Sequence, residues 1–96
     1  MFVGVIEARL RLAETFSLKD KRQIVRGLIE AARRRYRASV SEVDDHDELR
    51  SATIGAAIAT GNAVEARRIL DELETFFGEH PSVIAVDALI EVLSIP

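Results

Sequence analysis

The first twelve residues carry two patterns in succession. Phe2 to Val5 is apolar apart from Gly4, and from Ile6 onward Glu7, Arg9 and Arg11 alternate strictly with Ile6, Ala8, Leu10 and Leu12. A period of two sends successive side chains to opposite faces, so this stretch predicts a strand with one face buried and one exposed. After Ala13 and Glu14 the period changes. Leu18, Ile24, Val25, Leu28, Ile29 and Ala32 recur at helical spacing. Ser17 stands before them in the place of an N-cap, with Asp20 three residues on and Phe16 placed as a hydrophobic staple. The first helix is predicted from Ser17 or Leu18 to about Arg35.

Arg37 to Val43 predicts a short strand, the cluster Asp44-Asp45-His46-Asp47-Glu48 a solvated loop, and Ser51 to Thr60 a third strand. Gly61-Asn62 predicts a turn with Asn62 as the next N-cap. Ala66, Ile69, Leu70, Leu73, Phe76 and Phe77 form the apolar stripe of a second helix, with Gly78 in the place of a C-cap. Pro81 bars further helix, and Val83 to Ile95 is a long β-rich run interrupted by Asp87 and Glu91. The order β-α-β-β-α-β predicts an α+β ferredoxin-like sandwich, in which a four-stranded antiparallel sheet carries two helices on one face. Right-handed crossovers place the first and third strands centrally and the second and fourth at the edges.

Composition narrows the chemistry. The 96 residues predict one domain, residues 1–96, with a single two-layer core. The absence of cysteine removes disulfides and thiolate chemistry. No apolar run is long enough for a membrane span, and the N-terminus lacks the basic region of a signal peptide, so a cytoplasmic protein is expected. Charge is divided unevenly: residues 1–37 hold ten cations and four acids, and residues 38–96 hold three cations and twelve acids. Such asymmetry points to an interaction surface.

Both lysines of the chain lie in Ser17-Leu18-Lys19-Asp20-Lys21-Arg22, while the other eleven cations are arginine. Lysine and arginine differ in hydration and donor geometry, and the start of a helix disfavours cations, so this segment is a candidate site. In projection Lys19, Arg22, Arg26 and Arg33 share one flank of the first helix. A ridge of this kind suits a phosphate backbone, which makes Lys19, Lys21, Arg22, Arg26 and Arg33 the candidates for binding RNA. Lys21 differs from the others because it projects toward the apolar stripe. There it is expected to snorkel or to pair with a strand acid, Glu7 or Glu42. The ridge itself carries no aromatic residue on which bases would stack.

The third strand supplies the other candidate. Ala52, Ile54, Ala56 and Ile58 make one face, Thr53, Gly55, Ala57 and Ala59 the other, and both are small or apolar. Helices cover only one face, so Thr53, Gly55, Ala57 and Ala59, joined by Val3 and Val5, are expected to form an uncharged patch on the open side. A homo-oligomer covering that patch or the final strand is the corresponding expectation. The acidic loop with His46 lacks any recognised metal-ligand spacing, and no Walker loop, dinucleotide fingerprint or nucleophile elbow occurs. No cofactor, metal or catalytic residue is therefore assigned, and a non-enzymatic protein is expected.

One resemblance is carried by particular residues. Ser17-Leu18-Lys19-Asp20-Lys21-Arg22, then Val40-Ser41-Glu42-Val43, Asp47 and Gly55 at the matching intervals, resemble the YlxP-like family of small bacterial proteins of unknown function. The chain departs from that pattern at Asp20, where glutamate is usual, at Ala38, where asparagine is common, and at Leu49, where relatives often have tryptophan. The resemblance implies a ferredoxin-like fold and a role linked to RNA or ribosomal particles. It implies no established activity.

Overall fold

The computed structural model describes residues 1–14 and 17–96, so the staple expected at Phe16 lies outside the described residues. Six elements follow one another: β1 (Phe2–Leu12), α1 (Leu18–Tyr36), β2 (Ser39–Asp44), β3 (Ser51–Thr60), α2 (Ala63–Gly78) and β4 (Val83–Ser94). The strands form one sheet in the order β2-β3-β1-β4, with every neighbouring pair antiparallel. This is the ferredoxin-like α+β arrangement, with β1 and β3 central as expected.

The alternation of β1 decides which face the helices cover. Ile6, Ala8, Leu10 and Leu12 are buried together with Ala52, Ile54, Ala56 and Ile58 of β3. Onto this face α1 packs Val25, Leu28 and Ala32, and α2 packs Ala66, Leu70, Leu73 and Phe77. Each large side chain so buried stabilises the fold by about 1.5–3 kcal/mol relative to exposure. Gly4 sits beneath Leu70, and a Cβ built there would lie 2.8 Å from Leu70 Cδ1. At the C-terminal ends of the helices Tyr36 and Phe76 meet edge to face, with ring centroids 5.8 Å apart. The Arg35 guanidinium lies 5.4 Å and 5.6 Å from the two centroids.

Capping follows the sequence at both helix starts. Ser17 Oγ accepts a hydrogen bond from the Asp20 amide at 3.1 Å, and Asn62 Oδ1 one from the Glu65 amide at 3.0 Å. The helix ends differ from expectation. Arg37 is not in β2. It caps α1 in the left-handed conformation at φ 51°, a strained position for an arginine. Gly78 is the last helical residue of α2, and the cap is Glu79, whose amide donates back to Thr75 O at 3.0 Å without any left-handed turn.

Candidate functional site

Lys21 is completely buried. Its ammonium donates to Asp45 O at 2.5 Å and His46 O at 3.3 Å, and lies 3.3 Å from Glu42 Oε2. That third contact is an ion pair off the line of a hydrogen bond, since the buried Oε2 has no aligned donor. Of the two acids expected as partner, the structure selects Glu42, because α1 lies over the β2 side of the sheet and Glu42 points inward beside Ile54. Two carbonyls and the facing carboxylate surround the ammonium inside the protein. Lys21 is therefore unavailable to a phosphate and leaves the proposed RNA-binding set.

The same turn is held from the other side. Asp45 adopts φ 62°, which aspartate tolerates better than most residues. Its carboxylate accepts from Thr53 Oγ1 at 2.7 Å and lies 3.8 Å from Arg9 Nε. Thr53 is fully buried by this arrangement and is not part of an accessible patch, contrary to its place in the expected interface. Lys21 from the helix layer and Thr53 with Arg9 from the sheet thus clamp the β2–β3 turn between them.

The remaining cations of the ridge stand as projected. Lys19, Arg22, Arg26 and Arg33 are exposed. Arg22, Arg26 and Arg33 line a groove of about 260 Å³ that also includes Glu30 and Glu42. Arg33 is committed in part, donating from Nε and Nη2 to Val40 O at 3.1 Å and 2.6 Å, which satisfies an outward carbonyl of edge strand β2. Arg22 lies 3.9 Å from Asp47, an exposed pair of little energetic weight. Among the described residues Lys19 and Arg26 have no ion-pair partner.

A large concavity lies on the open face of the sheet. It is a trough of about 790 Å³ whose walls include Val5, Glu7, Val43, Gly55, Ala57, Leu89 and Glu91. Pairing registers place Val5 between Ala57 and Glu91, Glu7 between Gly55 and Leu89, and Val3 between Ala59 and Leu93. Val3, Val5, Gly55, Ala57 and Ala59 therefore come together as expected. The patch is not uncharged, because Glu7 and Glu91 stand in it. Five further residues belong to it beyond those expected: Glu7, Val43, Leu89, Glu91 and Leu93. Strict alternation in β4, which puts Asp87, Leu89, Glu91 and Leu93 on one face, is the signal that identifies three of them. Val43 follows from the same period in β2, which puts Ser39, Ser41 and Val43 on the open face; its Cγ1 lies 3.0 Å from the position of a Cβ added at Gly55.

Among the described residues no group of three or more histidine, aspartate and glutamate side chains is placed to hold a metal ion, and no helix is long and apolar enough to cross a membrane. Residues 3–90, from β1 into β4, match the family model DUF503, protein of unknown function. The chain belongs to that family. No curated protein matches it. Among solved structures, Rv0793 from Mycobacterium tuberculosis is similar at 17% identity and a TM-score of 0.48, over 100% of this DUF503 chain and 96% of that one. A likeness at that level carries no argument about function.

Proposed function

We propose that this protein is a self-associating binding module that uses the open face of its sheet as the contact surface. The observation that carries the reading is the trough of about 790 Å³, over which Leu89 stands 72% exposed. Val43 and Leu93 add exposed apolar area on the same face, at 49% and 47%. Contiguous apolar surface of this kind marks interaction sites on otherwise well-packed domains. Strand β4 ends the sheet, and its twelve residues extend the surface along an edge with which no further strand pairs among the described residues. Light scattering over a concentration series, with the wild type beside Ala57→Asp, tests the reading. A wild type that assembles and a variant that stays monomeric support it. A strictly monomeric wild type at high concentration refutes it, and assembly indifferent to Ala57 would move the contact to the β4 edge.

A second reading is favoured by the cation ridge. Lys19, Arg22 and Arg26 project from α1, on the sheet face opposite the trough, so assembly would leave them free to contact an RNA or ribosomal-particle phosphate backbone. The YlxP-like resemblance supports an RNA-linked role for this chain. Charge reversal of Arg22 and Arg26 together is expected to preserve folding, weaken RNA retention and flatten its salt dependence. Unchanged retention with an unchanged salt slope would remove the ridge from the account.

A further inference from the structure

We propose that the trough on the open face is a binding site for a small organic ammonium, a primary amine carried on an apolar body. The site lies within one chain, so the inference goes beyond the assembly reading and does not depend on it. Two neighbouring rows of the sheet make the floor. In the pairing registers one row runs Ser41, Gly55, Glu7, Leu89 from β2 to β4, and the next runs Ser39, Ala57, Val5, Glu91. Central strand β3 contributes only Gly55 and Ala57, while the larger Val43 and Leu89 stand on the edge strands to either side. The volume of about 790 Å³ falls within the range of small-molecule sites. A floor of two rows, about 14 Å wide across three strand spacings, suits a compact molecule better than a partner's helix or strand, which would run on into the charged row of Arg9 and Asp87.

Charge selects the class of ligand. Glu7 and Glu91 are diagonal neighbours on β1 and β4, a relation that spaces residues roughly 7–8 Å apart and lets two glutamates reach one cation. Among the described residues neither has an ion-pair partner. The outward cation of the adjoining row, Arg9, is already engaged, since it lies 3.8 Å from Asp45 and faces Asp87 in register. Two carboxylates thus stand beside Val5 and Ala57 without a counter-charge from the chain. A primary ammonium has three donors to divide between them. A quaternary ammonium would call for an aromatic cage, and no aromatic residue lines the trough. Among the described residues no third acid or imidazole is placed with the pair to hold a metal ion. The apolar body of the ligand rests on Val5 and Ala57 between Val43 and Leu89, and the Ser39 and Ser41 hydroxyls at the β2 side offer hydrogen bonds to a polar far end.

Methyl-resolved NMR titration of the full chain with hexylammonium, hexanol and hexanoate tests the site, run at high dilution so that assembly does not mask it. Hexylammonium is expected to shift the methyl signals of Val5, Ala57 and Leu89 with a dissociation constant of about a millimolar, the reach of so small a probe. Hexanol, which keeps the apolar body without the charge, is expected to bind about tenfold more weakly, and hexanoate not at all. The double variant Glu7→Gln/Glu91→Gln, changed at two exposed positions, is expected to bind hexylammonium about tenfold more weakly while hexanol binding is unchanged. Equal binding of hexylammonium and hexanoate, equal binding of hexylammonium to the wild type and the double variant, or no shift of those methyl signals would overturn the proposal. A lysine-bearing peptide that shifts them at lower concentration than hexylammonium does would overturn the small-molecule source. Because the titration reads a single chain, its outcome is separate from whether the wild type assembles.

Discussion

Lys21 and Glu42 meet between α1 and the edge strand β2, with Nζ 3.3 Å from Oε2 and the lysine side chain wholly shielded from solvent. Their pairing explains why a lysine rather than an arginine stands at this position in an arginine-rich chain. A compact ammonium with three donors fits one carboxylate and the two carbonyls of Asp45 and His46, whereas a planar guanidinium would need a wider pocket. The contact fixes the acidic β2–β3 turn to the helix layer.

Removing one partner should therefore cost more than removing both. Lys21→Met leaves the largely buried Glu42 carboxylate without its counter-charge and is expected to lower stability by about 3 kcal/mol. The double variant Lys21→Met/Glu42→Leu is expected to recover most of that loss, because a well-packed apolar pair replaces a desolvated ionic one. Urea denaturation midpoints of the wild type, both single variants and the double variant make the comparison. Equal losses in the single and double variants would contradict the pairing.

Two glycines should respond in opposite directions. At Gly4 an added methyl meets Leu70 Cδ1 at 2.8 Å and Ile58 Cγ1 at 3.2 Å inside the packed layer, so Gly4→Ala is expected to destabilise by about 1–3 kcal/mol. At Gly27 nothing lies within 4 Å of the added atom, and the position is exposed within α1. Gly27→Ala is expected to stabilise by about 0.5–1 kcal/mol. Thermal unfolding of the two variants decides both.

What the sequence made legible followed the strength of the local signal. Ile6 to Leu12 alternates without interruption, and Phe2 to Leu12 forms a central strand at the expected limits. The two N-caps announce themselves by side-chain chemistry confined to three residues, and both form. Gly78 misled because glycine at a helix end usually supplies a left-handed turn, whereas here the chain leaves α2 in right-handed geometry through Glu79. Thr53 depended on how the β2–β3 turn folds back to set Asp45 against it, a tertiary matter that no period along the chain encodes. Gly55 in the middle of an apolar strand was the one local hint that a neighbour approaches closely there. The choice between Glu7 and Glu42 as the partner of Lys21 likewise required knowing which strand α1 covers.

Tyr36 is the sole tyrosine, and the chain has no tryptophan, so its ionisation is directly visible in the phenolate absorbance. Burial raises its pKa above the ordinary value of 10.0, opposed by the adjacent Arg35 and assisted by Glu72 and Glu79. A raised folded value means that the neutral phenol is the form the fold prefers. The associated stability is fully present below pH 10.0 and is lost as pH rises through the folded value. Alkaline titration is expected to give a midpoint above 10.0 in the folded protein that returns to the ordinary value in denaturant. Identical midpoints in both states would contradict the packing of Tyr36 against Phe76.

The central claim is that the open face of the sheet is an assembly surface, and methyl-resolved NMR across a dilution series tests it most directly because it locates the contact as well as detecting it. The methyl signals of Val3, Val5, Ala57, Leu89 and Leu93 are expected to shift or broaden as concentration rises. Val64, 80% exposed on α2, serves as the control and is expected to stay unchanged. Concentration-independent signals throughout, or changes confined to the helix layer around Val64, would contradict the account.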